Sequence, residues 1–93
     1  MNLAEFRNLS ECPANFSPAL KGLWHDRLGD WDTAHEIVQN SSDRDSAWVH
    51  AYLHREEGDR GNANYWYRRC GKPEFTGSLQ AEWEHIVSSL LAA

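Results

Sequence analysis

The chain reads as an all-α protein made of antiparallel helical hairpins, and three observations predict it. Apolar residues recur at three- and four-residue intervals between short turn segments. Each such stretch opens on a capping residue, and several close on glycine. No segment alternates polar and apolar residues at period two, and no run of β-branched residues occurs. Ninety-three residues fit one domain, spanning 1–93.

Asn2 and Glu5 have capping-box spacing, which predicts a short N-terminal helix burying Leu3, Phe6 and Leu9. Residues 10–16 contain Pro13 and read as irregular. Ser17-Pro18 is a strong start, with Ser as N-cap and Pro in the first turn, where its missing N–H costs nothing. That helix runs to about Leu28 and stops at Gly29; Asp30 caps the next, whose Trp31, Ala34, Ile37 and Val38 share a face. Ser42 and Asp45 have capping-box spacing for a third long helix that runs to Glu57 and stops at Gly58. Asp59 caps a fourth, with Ala63, Trp66, Tyr67 and Cys70 on one stripe, ended by Gly71-Lys72-Pro73. Ser78 opens the last helix, 79–92, whose Leu79, Trp83, Ile86, Val87 and Leu90 form the clearest apolar stripe in the chain.

A shift of 29 residues superimposes LWHDRLGDWDTAH on YLHREEGDRGNAN. It pairs His25 with His54, Gly29 with Gly58, Asp30 with Asp59, Ala34 with Ala63, and Gly22 with Ala51. Each unit is helix, Gly-Asp corner, helix, the glycine releasing left-handed strain and the aspartate capping the next helix. A connection that short makes the two helices antiparallel neighbours. The order Gly22, Gly29, Asp30, Trp31, Ala34 in one unit and Ala51, Gly58, Asp59, Ala63, Tyr67 in the other resembles the tetratricopeptide repeat. The resemblance covers about residues 17–73, in units of about 17–41 and 46–71, with a period of 29 against the family's ~34. Arg60 stands where the family has an aromatic residue. The resemblance implies a stack of hairpins with residues 79–92 as a capping helix over the last unit, and a groove that binds a peptide or partner helix.

On that register Trp48 and Tyr52, four residues apart with Arg55 and Glu56 beside them, face the groove. An aromatic pair beside charged residues has the composition of a binding hot spot. The expected function is a non-enzymatic protein-interaction module whose partner contacts are Leu23, Asp26, Arg27, Trp48, Tyr52 and Arg55. Two hairpins are fewer than such arrays usually need, so a homodimer that extends the stack is a corollary. The same two aromatics also suit ordinary packing against the first long helix or the last. Trp31, Trp66 and Trp83 lie on apolar stripes and read as core.

Histidines supply the rival reading. His50 and His54 are four apart, one turn up the same helix face, which is metal-ligand spacing. A helical wheel adds Ser46 and Glu57 to that stripe. With His25 or His35 brought in from a neighbouring helix they would make a zinc or acid–base centre, although neither HEIVQ nor HAYLH is a metalloprotease motif. The bland alternative is a set of hydrogen-bonded imidazoles at the helix interface. No glycine-rich phosphate loop, nucleophile elbow or dense carboxylate pair stands out.

A net charge of −5 argues against nucleic acid, which requires a basic stripe, and against an anionic membrane surface. No apolar run approaches the ~18 residues of a membrane span, and MNLAEFRNLSECP lacks the apolar core of a secretory signal. Cys12 and Cys70 are too few and too far apart for a disulfide framework. The location these features predict is the cytoplasm.

Overall fold

A computed structural model describes residues 1–93 and holds six helices and no strand. They are α1 (Leu3–Arg7), α2 (Pro18–Arg27), α3 (Trp31–Gln39), α4 (Arg44–Glu56), α5 (Arg60–Cys70) and α6 (Leu79–Ala92). Helices α2 and α3 pair as one hairpin, α4 and α5 as a second, and α4 packs on both α2 and α3.

The two Gly-Asp corners share one geometry. Gly29 and Gly58 have φ of 83° and 88°, in the left-handed region where a side chain is strained. The Asp30 amide donates to His25 O at 3.1 Å, and the Asp59 amide donates to His54 O at 2.9 Å. Each aspartate then accepts from the amide three residues on, Thr33 at 3.1 Å and Asn62 at 3.2 Å. These bonds satisfy carbonyls of one helix end and an amide of the next start. The 29-residue shift is therefore reproduced bond for bond.

Small residues set how closely the hairpins approach. A Cβ on Gly22 would lie 2.9 Å from Val38 Cγ1 and 3.4 Å from Val49 Cγ1, so α2 nests against α3 and α4 only without one. Ala34, Ala51 and Ala63 are buried as well. The cap of α4 differs from expectation: Asp43, not Ser42, accepts from the Ser46 amide at 3.0 Å and from the Ser46 hydroxyl at 2.7 Å. Asp43 offers two carboxylate oxygens, so one caps the amide while the other takes the hydroxyl.

Helix α6 packs chiefly on α4, α2 and α1, so it spans both hairpins rather than covering the last unit alone. Trp83 donates from Nε1 to Leu23 O at 3.1 Å, which ties α6 to the middle of α2. Phe6 of α1 is fully buried between the rings of Phe16 and Trp83. Beneath Ile86 and Val87, the fully buried Leu23, Val49 and Leu53 complete the shared core. Glu82 is fully buried too; it accepts from Arg55 Nη1 at 2.8 Å and from the Tyr67 hydroxyl, joining α6 to α4 and α5. No helix is long and apolar enough to cross a membrane.

Candidate functional site

Two groups of polar side chains flank α4 on opposite sides. On the first side, α3 and α4 bring His35, His50 and His54 together. Their ring centroids form a triangle of 4.8, 5.2 and 4.9 Å. His50 Nε2 lies 3.1 Å from His35 Nε2, and one ligand nitrogen from each of the three falls within 4.8 Å of the others. Glu57 Oε1 holds His54 Nδ1 at 3.0 Å, which leaves Nε2 as the free ring nitrogen of His54. Tryptophans wall the cluster: Trp66 stacks on His50 at 3.9 Å and Trp31 on His35 at 4.8 Å. Trp31 is itself anchored by its Nε1 donating to Leu53 O at 2.9 Å.

His50 and His54 are buried, and His35 is half-buried, so the cluster reaches solvent along α3. Burial, then the neighbouring His54 and His35, pushes His50 down to about 4. Burial and His54 lower His35 as well, opposed by the carboxylates of Glu57 and Asp32. His50 is thus a neutral imidazole at pH 7. Its Nδ1 is buried without a hydrogen-bond partner.

On the other side, α2, α4 and α6 enclose an open cavity of about 450 Å³. Asp26, Tyr52 and Glu56 line it with Leu79, Gln80, Trp83 and the arginines Arg7 and Arg27. Glu56 and Tyr52 face the Asp26 carboxyl in this cavity, close enough for hydrogen bonding to act on its ionisation. Burial raises Asp26, although those hydrogen bonds pull it down. Glu56 is pushed up to about 8 by burial first, then by its hydrogen bond to Asp26 and the charge there. Glu56 therefore holds its proton at pH 7 beside Asp26. Neither arginine neutralises them: Arg27 donates to the carbonyls of Arg7 and Leu9, and Arg7 pairs with Glu84.

The residues expected at a partner groove are distributed over three places. Asp26, Arg27 and Tyr52 meet at this cavity. Leu23 is wholly buried beneath α6, in the core. Trp48 is 5% exposed, packed against His85 with the Lys72 ammonium 4.3 Å from its ring centre. Arg55 is spent on Glu82 and the Gly77 carbonyl. The last helix thus lies over much of the surface that the register left for a groove. Of the histidines, His25 stays apart from the cluster, its ring against Trp24 at 5.1 Å. Trp31 and Trp66, expected in the core, are half-buried walls of the histidine cluster, and only Trp83 among the three is buried.

The carboxyl pair was missed because its members lie thirty residues apart on different helices. A signal for half of it existed: Glu56 follows Tyr52 by four residues and so shares its helix face. No family model, no curated protein and no solved structure matches this chain.

Proposed function

We propose that the chain is a small non-enzymatic interaction module that takes a basic side chain of a protein partner into the α2–α4–α6 cavity. The observation that carries this reading is the Asp26–Glu56 pair, two neighbouring carboxyls to which neither arginine of the cavity is hydrogen-bonded. A lysine ammonium or arginine guanidinium there would replace the proton on Glu56 and offset the burial and the neighbouring Asp26 charge that hold it protonated. Leu79 and Trp83 supply apolar wall for the methylene stem of such a side chain. The net charge of −5 favours a basic partner at long range. The repeat of hairpins resembling tetratricopeptide units supports the same class, since the cavity lies on the face formed by the first helix of each hairpin.

Trp83 lines the cavity, so its fluorescence reports occupancy. Titration with a lysine- and arginine-containing peptide is expected to saturate, and an acidic peptide of equal length is expected to leave the signal flat. Glu56→Gln, which keeps shape but not charge, is expected to abolish the response with the helical circular dichroism unchanged. Equal responses to both peptides, or full binding by folded Glu56→Gln, would exclude the cavity as the binding site.

A further inference from the structure

The three imidazoles on the opposite side of α4 carry an inference independent of the cavity. We infer that His35, His50 and His54 form a binding centre for one divalent first-row metal ion of the zinc class.

The argument is geometric. A tetrahedral metal with metal–nitrogen bonds of about 2.0–2.1 Å places its ligand nitrogens about 3.3 Å apart. The Nε2 atoms of His35 and His50 already stand at 3.1 Å, within a few tenths of that edge. The third ligand atom lies no more than 4.8 Å from the other two, so closing the triangle needs a displacement that side-chain torsions of His54 or His35 can supply. His35 and His50 make the edge already near that spacing; His54, one helical turn from His50 on α4, closes the triangle by turning toward them.

Surrounding groups fit such a centre. A ligating histidine typically donates its second ring N–H to a carboxylate, which fixes the tautomer. Glu57 does this for His54 Nδ1 at 3.0 Å. Trp66 and Trp31 stack on His50 and His35 and restrict the ring planes, so less rotamer freedom is lost when a metal binds. Three nitrogen ligands leave a fourth position, and the half-buried His35 puts it on the solvent side. An all-imidazole set suits zinc, copper or nickel and disfavours magnesium or calcium, which require oxygen. Asp59, near His54 and Glu57, is an N-cap whose carboxylate already accepts from the Asn62 amide and side chain. It therefore lies outside the ligand set.

The test uses the 93-residue chain without a histidine tag, freed of metal with a chelator. Zinc chloride titrated by calorimetry is expected to bind at one equivalent, and Co²⁺ is expected to give the intense visible bands of a tetrahedral ion. His35→Ala, at a half-buried helix position, is expected to remain folded by circular dichroism and to lose the one-equivalent site. Glu57→Gln is expected to weaken zinc about 10- to 100-fold without changing the stoichiometry. The inference is overturned if the folded chain takes up neither ion. It is equally overturned if uptake is unchanged in His35→Ala, which would assign the metal to His25, His85 or the cysteines. If His35→Ala fails to fold by circular dichroism, His54→Gln is used in its place, with the same two outcomes.

Discussion

Replacing Glu82 with glutamine tests how the last helix is held. The Glu82 side chain is wholly inaccessible and accepts from Arg55 Nη1 and the Tyr67 hydroxyl. One carboxylate therefore links three helices. Glutamine keeps the volume but places an amide NH2 donor where one oxygen accepted, and it leaves the Arg55 guanidinium without a counter-charge. A hydrogen bond to a charged group contributes about 1.5–3 kcal/mol. Arg55 softens the loss, because its side chain is 21% exposed and also donates to the Gly77 carbonyl. The expected cost of Glu82→Gln is about 2–3 kcal/mol, and of Glu82→Ala about 3–5 kcal/mol, as for breaking a buried pair.

Those figures are large against the about 5–14 kcal/mol available to a domain of this length. Urea unfolding followed by tryptophan fluorescence and by circular dichroism measures the change. With a slope of about 1–1.5 kcal/mol per molar urea, Glu82→Gln is expected to lower the midpoint by about 2 M. Tyr67→Phe alone is expected to cost about 1 kcal/mol. In the Glu82→Gln background it should cost at least about 0.5 kcal/mol less, since the two groups share one bond. A midpoint shift below about 0.4 M, or strictly additive losses, would refute the claim that the buried Glu82 side chain joins the helices.

Two further outcomes follow from the corners and from the titrating groups. Gly29→Ala and Gly58→Ala place a Cβ at φ of 83° and 88° with no neighbour within 4 Å. Each is expected to cost about 1–2 kcal/mol by conformation alone, with the two losses equal within error, as read from urea midpoints. The pH dependence of metal-free protein is set chiefly by two opposed effects, with the smaller shifts of His35 and Asp26 acting in the same directions as His50 and Glu56 respectively. His50, lowered to about 4 among His35, His54 and Glu57, binds its proton more weakly folded than unfolded. Its contribution is complete above about 6.5 and is lost as pH falls towards 4. Glu56, raised to about 8, holds its proton more tightly folded than unfolded, so stability falls as pH rises from about 4.5 to 8. Thermal melts should therefore show a plateau near pH 4.5–6.5 and a decline from 6.5 to 8. That decline should vanish in Glu56→Gln; its persistence would show that another group is responsible.

The helices were legible because their punctuation is local. Asn2, Ser17, Asp30, Asp59 and Ser78 cap helices as their positions predict, and the Gly-Asp corners need only two adjacent residues. Ser42 misled because Asp43, its neighbour, offers the stronger acceptor at the same turn. The stripe of Ser46, His50, His54 and Glu57 was also readable, since it lies on one helix. What escaped was the path of α6. Its apolar stripe states that it is buried but not against which helices, and the deciding contacts span up to sixty residues, as in Trp83 to Leu23 O. With α6 laid over α2 and α4, Leu23 and Trp48 became core and Arg55 became an internal counter-ion. The Asp26–Glu56 pair depends on the same long-range packing.

The three polar groups around α4 are not equivalent, and the difference separates structure from function. Tyr52 and Glu56 stand about 200° around the helix from His50 and His54 respectively, so the cavity and the imidazole cluster lie back to back with Val49 and Leu53 in the core. Buried polar groups cost stability unless every one of them is partnered, and a 93-residue core has little to spare. Glu82 meets that condition: both oxygens accept, and its partners are helices that must be joined. The other two groups do not. His50 leaves Nδ1 unpaired and is held neutral at a cost below pH 6.5, and Glu56 retains a proton that water would remove. Leucine or phenylalanine at these positions would fold the same hairpins with less strain on the charges. On the two proposals above, a basic side chain would offset the charge cost at Asp26–Glu56, and a metal would take the Nε2 nitrogens of the cluster, with His50 Nδ1 outside the ligand set.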